Sequence, residues 1–202
     1  MDPGFRIENI LLVDVGQRPG VSGPEPTDAM LRLQEELERL PGVSAATWAD
    51  EVPLAEASRR GVRVEGYERR QGEDMEFHYN HVGPRYFETM DIPLERGRGF
   101  TAADRAGAAL GIVLNEAFAR RFWPGVDPLG KRVTFTGPEG PWVEVVGITR
   151  DGRYLSLAEA ARPYMFLPAL QEEGGWTIHV RTTGDPMSVV PAVRQRIVAA
   201  VP

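Results

Sequence analysis

PGVDPLGKR, residues 124–132, decides whether the chain reads as a nucleotide-binding α/β protein or as something else. Gly125, four intervening residues, Gly130 and Lys131 reproduce most of the phosphate-loop pattern G-x-x-x-x-G-K-[ST]. A phosphate loop leaves a strand and enters a helix, so that its backbone N–H groups surround the phosphates and its Ser or Thr binds Mg²⁺. Here the order is inverted. EAFARRFW (116–123) reads as a helix capped by Asn115 and stopped by Pro124, and RVTF (132–135) reads as the strand that follows. Pro128 removes a donor from the loop, and Arg132 stands where the hydroxyl ligand belongs. The stretch is therefore a helix-to-strand turn. Gly125 follows the helix end, Gly130 makes the tight entry into the next strand, and Lys131 and Arg132 are surface charges.

Around this turn, from Ile92 to about Leu170, elements are short and Gly/Pro punctuation is dense. GIVL (111–114) and VEVVGIT (143–149) read as strands, the latter following the turn TGPEGP, and RPYMFLPAL (162–170) as an extended apolar segment. Before it, VRVEGY (62–67) and MEFHYNHV (75–82) read as strands joined through RRQGED. The second places Met75, Phe77, Tyr79 and His81 on one face and Glu76, His78 and Asn80 on the other. Pro84 opens a short helix, PRYFETMD.

The two ends share a different pattern. ENILLVDV (8–15) reads as a buried strand, and the loop GQRPGVSGPEP follows it. Thr27 or Asp28 caps a helix to about Leu40, with Met30, Leu33, Leu37 and Leu40 on one face and Pro41-Gly42 as its stop. VSAATWA (43–49) reads as a returning strand. WTIHVRT (176–182) is likewise followed by a helix from Asp185-Pro186 with Val190, Val193 and Ile197 as its apolar face. Strand, capped helix and closing proline thus recur, which predicts that the two ends build one sheet layer with the middle inserted between them. Trp48 and Trp176 belong beside that layer, while Tyr86/Phe87 and Phe118/Phe122/Trp123 have the helical spacing of core residues.

Composition narrows the chemistry. The 202 residues carry a net charge of −6, which argues against nucleic acid as a partner. There is no cysteine, and Lys131 is the single lysine, so lysine chemistry has one place to occur. No apolar run reaches the ~18–20 residues of a membrane span. The polar start Met1-Asp2-Pro3-Gly4 and the stop at Val201-Pro202 read as the cut ends of an excised segment of a longer protein. His78 and His81 are three apart on a strand and point to opposite faces, which disfavours a shared metal, and His179 in a strand reads as structural. Ser22, Ser44, Ser58, Ser156 and Ser188 have no neighbouring histidine in sequence, and there is no G-x-S-x-G elbow. Among the 29 acids, Glu35, Glu36, Glu38, Glu73 and Asp74 are solvated charges of a helix face or a turn. Asp50, Glu51 and Asp104 are the first candidates were the chain an enzyme.

GPRYFETMDIPLERGRGFTAADR, IVLNEAFARRFWPGVDPLGKRV, WVEVVGITRDGRYLSL and PYMFLPALQ, within residues 83–171, resemble the extracytoplasmic domain of MacB/FtsX-type ABC transporter permeases, closest to the orphan permeases that lack a fused ATPase. RLPGVSAATWADEVPL (39–54) and TIHVRTTGDP (177–186) fit the same pattern, whereas residues 5–26 match only loosely. The resemblance implies an α+β fold of two subdomains: a porter-like strand-helix-strand layer from residues 1–92 and 171–202, and an inserted smaller mixed α/β subdomain over 93–170. It implies further that the domain follows one membrane helix, precedes others, and continues past its last helix into another strand. No catalytic residue, metal or cofactor is expected. The implied role is to couple membrane-helix motion to substrate export or partner binding, on the periplasmic side of the inner membrane. Expected partners are the transmembrane helices of the same permease, a cytoplasmic ATPase subunit, and a second permease copy or a periplasmic adaptor. The competing readings are a stand-alone extracytoplasmic module binding a peptide or saccharide in a cleft between subdomains, and a hydrolase using acids.

Overall fold

The structure, a computed structural model, describes residues 3–15, 28–55, 57–137, 139–171 and 177–200. The loop after residue 15, Thr27, Ser22 and Trp176 lie outside them. The elements in chain order are β1 (Ile10–Asp14), α1 (Asp28–Glu38), β2 (Val43–Ala49), β3 (Arg59–Gly61), β4 (Arg63–Val64), β5 (Glu76–Val82), α2 (Tyr86–Met90), β6 (Leu94–Gly97), β7 (Gly111–Asn115), α3 (Glu116–Phe122), β8 (Arg132–Thr134), β9 (Val143–Thr149), β10 (Tyr164–Pro168), β11 (Thr177–Thr182) and α4 (Val190–Ala200). The fold is α+β, with one mixed sheet in the order β1-β11-β2-β5-β10-β7-β9-β8-β4, β3 also pairing with β5 and β6 with β9.

The chain ends meet as their repeated pattern predicts. β11 runs antiparallel between β1 and β2, with Ile10↔Arg181 and Asp14↔Thr177 on one side and Ile178↔Trp48 on the other. The period-2 alternation of β11 sends Ile178 and Val180 to one face and His179 to the other. On the first face α1 contributes Met30, Leu33 and Leu37, α4 contributes Val193 and Ile197, and Trp48 is almost fully buried among them. The last helix does not begin at Asp185-Pro186. Asp185 caps a single 3-10 turn over Pro186–Ser188, and the α-helix starts at Val190. Val189 is consequently buried in the core while Val190 is only half-buried.

The middle strands continue the same sheet. β10 is parallel to β5 over Tyr164↔His78 to Pro168↔Val82, and β7 is parallel to β9 over Gly111↔Glu144 to Asn115↔Thr149. Both faces are covered here, so β7 and β10 are continuous apolar runs rather than alternating ones. Ile112, Leu114, Met165 and Leu167 face α3, where Phe118 and Phe122 both pack edge-to-face on Phe77. Val113, Tyr164 and Phe166 face α2 together with Phe5, Tyr86, Phe87 and Tyr154.

The turn at 124–132 has the inverted order expected of it: α3 precedes and β8 follows. Gly125 and Gly130 both hold positive φ (74° and 76°), conformations open to glycine at little cost. Asn115 caps α3, its side-chain oxygen accepting from Phe118 N at 3.1 Å. Two local readings are corrected here, and two strands had not been read. The strand read at 62–67 is only Arg63–Val64, because Tyr67 N turns back onto Val64 O; β3 before it and β6 at Leu94–Gly97 had no period-2 apolar signature. Pro84 does not open α2. Arg85, at φ 61°, stands between them, and the Pro84 carbonyl accepts from Thr47 Oγ1 (2.8 Å) and Gln34 Nε2 (3.3 Å).

Candidate functional site

The most telling place in the sheet is the join between β2 and β5. The ladder there has one pair, Ala49↔Val82, against five on the other edge of β5. Two backbone bonds make that pair, Asp50 N to His81 O at 3.0 Å and Gly83 N to Trp48 O at 2.8 Å. Beyond it the chain turns away and side chains take over: Glu51 N donates to Asn80 Oδ1 at 2.9 Å. Asn80 Nδ2 returns a bond to Glu51 O at 2.8 Å. The carboxamide of Asn80 thus serves Glu51 as a backbone partner would, offering one acceptor and one donor. His81 Nδ1 and Asp50 Oδ2 lie 2.6 Å apart, with the imidazole buried and the carboxylate three-quarters buried. Ser58 Oγ donates to Glu51 Oε1 at 3.1 Å.

This cluster brings together Asp50, Glu51 and His81, three residues singled out on chemical grounds. It lacks the arrangement that nucleophilic catalysis requires, because Ser58 is bound to Glu51 and not to the imidazole. His78 Nδ1 lies 3.1 Å from Ala57 O, away from His81. Asp104 is far from the cluster in role. It is buried, takes a two-pronged bond from Arg98 (2.8 Å each) and accepts from Thr101 N at 2.8 Å. Burial raises its pKa, but Arg98 and Thr101 outweigh that and hold it below the ordinary carboxylate value. Ser44 and Ser188 donate to the Arg181 and Asp185 carbonyls. Among the described residues no group of three His, Asp or Glu is placed to hold a metal ion.

His179 is fully buried on the face of β11 opposite α1 and α4. Its ring meets the Tyr86 ring edge-on at 5.8 Å between centroids, Nδ1 lies 3.0 Å from Thr177 O, and Nε2 has no partner. Burial pushes its pKa down to about 4 despite the Thr177 carbonyl. Arg132 pairs with Glu65 through Nε–Oε2 at 3.0 Å and lies over the Trp142 ring, so it is engaged with protein rather than facing an empty phosphate cradle.

Two structural centres were missed. Asn115 does more than cap: Oδ1 also accepts from Tyr164 N (2.9 Å), and Nδ2 donates to Asp151 Oδ1 (3.0 Å) and Arg162 O (2.8 Å). The other is the segment before β1. Phe5 stacks on Tyr154 at 5.9 Å, Arg6 N donates to Met90 O at 2.9 Å, and Arg153 N donates to Pro3 O at 2.9 Å. Asparagine inside strands, where it is otherwise scarce, was the available signal for Asn80 and Asn115. A lone Phe at residue 5 carried none.

Hydrogen-bonded polar clusters on one mixed sheet define an α+β scaffold without a visible catalytic constellation among the described residues. The profile of the MacB-like periplasmic core domain matches residues 2–200, and the chain belongs to that family. It is a domain type of ABC transporter permeases that lies outside the cytoplasm, and the family is one of transporters rather than enzymes. Among solved structures the chain is similar to the periplasmic region of MacB from Actinobacillus actinomycetemcomitans (15% identity, 97% of this chain and 85% of that one, TM-score 0.62). It is also similar to the extracellular domain of the noncanonic ABC-type transporter YknZ from Gram-positive bacteria (16%, 92% and 88%, 0.55). A domain of a permease protein from Porphyromonas gingivalis gives 17% identity, 92% and 80% coverage and a TM-score of 0.53. These likenesses show the fold. No curated protein sequence matches. Among the described residues no helix is long and apolar enough to cross a membrane.

Proposed function

We propose that this domain couples movement of membrane helices in the same permease to export of a substrate or binding of a partner, without chemistry of its own. Its place is the periplasmic side of the inner membrane. The permease works with a cytoplasmic ATPase subunit and with a second permease copy or a periplasmic adaptor. Two units are proposed, the layer from residues 1–92 and 171–202 and the insertion 93–170; the working motion bends the layer itself at the β2–β5 join, swinging β1, β11 and β2 against β5 and the insertion that β5 holds through β10.

The observation that carries the mechanical part is the β2–β5 join. One ladder pair, Ala49↔Val82, is far less backbone bonding than the five pairs from Ile10↔Arg181 to Asp14↔Thr177 hold between β1 and β11. Motion between parts of a continuous sheet is cheapest where the fewest ladder bonds must change.

The test is the intact permease with residues 3–200 replaced by a short Gly/Ser linker. Loss of export with retained membrane insertion and ATPase binding supports the reading. Unchanged export would sink it. The coding sequence on either side offers a quicker check: apolar stretches of ~20 residues are expected there.

A further inference from the structure

The seven residues that lead into β1 are held by three separate regions of the chain. Pro3 O accepts from Arg153 N and Arg6 N donates to Met90 O, both at 2.9 Å. The Asn9 carbonyl accepts from Thr182 N at 2.8 Å. Arg6 pairs with Asp91 at 3.0 Å. Gly4 holds φ +87°, and a Cβ there would sit 2.8 Å from Asp151 O and 2.9 Å from Gly152 Cα, so the segment lies flush on the 151–152 backbone. Phe5 is only 5% exposed, although Arg6, Ile7 and Glu8 beside it are exposed. One aromatic side chain fastens an otherwise solvated segment.

The fastening continues inward. Tyr154, on which Phe5 stacks, accepts through its carbonyl from Leu54 N at 2.6 Å. Leu54 lies in the turn that carries Asp50 and Glu51, and it packs on the same aromatic cluster as Phe5 and Tyr154. Asp50 and Glu51 are the residues held by His81 and Asn80 at the β2–β5 join. A contiguous series of contacts therefore runs from the entry segment to the weakest join of the sheet. A cavity of about 520 Å³ lined by residues 3–8 with Asp91, Pro93 and Arg150 borders the segment and leaves room for it to shift.

We propose that residues 3–9 are a strap: displacement of the chain ahead of Pro3 passes through the Phe5–Tyr154 stack and Leu54 to the Asp50–Glu51 clasp, and so biases the β2–β5 join. The purpose of the strap rests on the reading that a membrane helix leads into this segment. Its mechanics do not. Contacts alone establish adjacency, and coupling needs a perturbation at one end read at the other.

The experiment is amide hydrogen exchange, resolved by residue, on the domain carrying Phe5→Ala. Gly4→Ala is the second variant, because it lifts the segment while keeping Phe5. Exchange is expected to accelerate at least tenfold at Arg153 and Leu54 and at Asp50 and Glu51, with Ile178 and Val180 in β11 unchanged. Acceleration confined to residues 3–9 and Arg153 overturns the proposal, because the strap would then be a passive tail. Equal acceleration in β11 overturns it as well, because Phe5 would then serve global stability alone. Phe5→Leu, which keeps an apolar anchor, is expected to restore most of the protection. If Phe5→Ala fails to fold, Gly4→Ala decides. A negative result removes the strap and leaves the permease reading standing; absence of an upstream membrane helix removes that reading and leaves the exchange result intact.

Discussion

Acid is expected to loosen the layer built from the two chain ends through one residue, His179. In the folded chain its pKa is about 4 against an ordinary 6.5, first because the ring is buried. Arg181, two residues along the same face of β11, adds a positive charge nearby, with Arg6 beyond it and Asp91 opposing. The other groups facing the ring, Tyr86 from α2 and Thr47 across the ladder, are neutral. A base with a depressed folded pKa favours the unfolded chain wherever the unfolded chain binds the extra proton. Stability from neutral His179 is therefore complete above pH 6.5, falls as pH drops toward 4, and has no more to lose below that. The difference is worth about 3 kcal/mol in total, and about 2 kcal/mol of it is gone at pH 5.

The assay is urea unfolding of the domain at pH 7.5, 6 and 5, compared with His179→Leu. Carboxylates that titrate on their own do so in both proteins, so the difference between the two isolates the imidazole. Leucine keeps apolar volume and removes the unpartnered Nε2. The stability of the wild type relative to the variant should fall by about 2 kcal/mol between pH 7.5 and 5. A difference that stays flat across this range would refute the reasoning, since a ring that stayed wet would titrate alike in both states.

Four further outcomes follow from the geometry. Asn80→Ala removes the surrogate backbone partner of Glu51 and should cost about 2 kcal/mol in urea unfolding, with a matching loss of amide protection at Glu51. Asn115→Ala strips a fully buried carboxamide that makes four bonds and should cost about 3 kcal/mol or more, with the start of α3 exchanging fastest. Asp104→Asn should cost about 1–2 kcal/mol, because Arg98 keeps a half-exposed guanidinium that water can serve. Millimolar Mg-ATP should leave the thermal midpoint unchanged; a rise that vanishes in Lys131→Ala would overturn the reading of residues 124–132.

What could be read along the chain was what neighbours in sequence decide. Helix α3 was legible because Asn115, the apolar spacing of Phe118 and Phe122, and Pro124 are all local signals. VEVVGIT and GIVL were legible because a two-sided strand writes itself as an apolar run. The inverted order around 124–132 also followed from local signals, and it was enough to set the nucleotide-binding reading aside. β3 and β6 were not legible, since RRG and LERG carry no alternation and are strands because β5 and β9 hold them. Nor was the start of α4, where Asp185 caps a 3-10 turn before the α-helix proper.

The polar residues divide on the same principle. Asp50, Glu51 and His81 drew attention as chemical types, yet their partners in the clasp lie far along the chain, whereas Asp104 is held by its sequence neighbours Arg98 and Thr101. Asp50 and His81 are 31 residues apart in sequence and 2.6 Å apart in space. The same separation explains why Phe5 was silent: its value comes from Tyr154, far along the chain. In a fold built from both chain ends around a middle segment, the informative contacts are those that cross between ends and middle. Sequence period cannot register them, because period reports which face a residue occupies and not what waits on that face. The entry segment is such a crossing, and Leu54 joins it to the β2–β5 clasp, whose strands both belong to residues 1–92. Under the proposed coupling role, the path from Phe5 to Asn80, rather than any titratable cluster by itself, is where a pull on the entry segment is expected to register at the β2–β5 join.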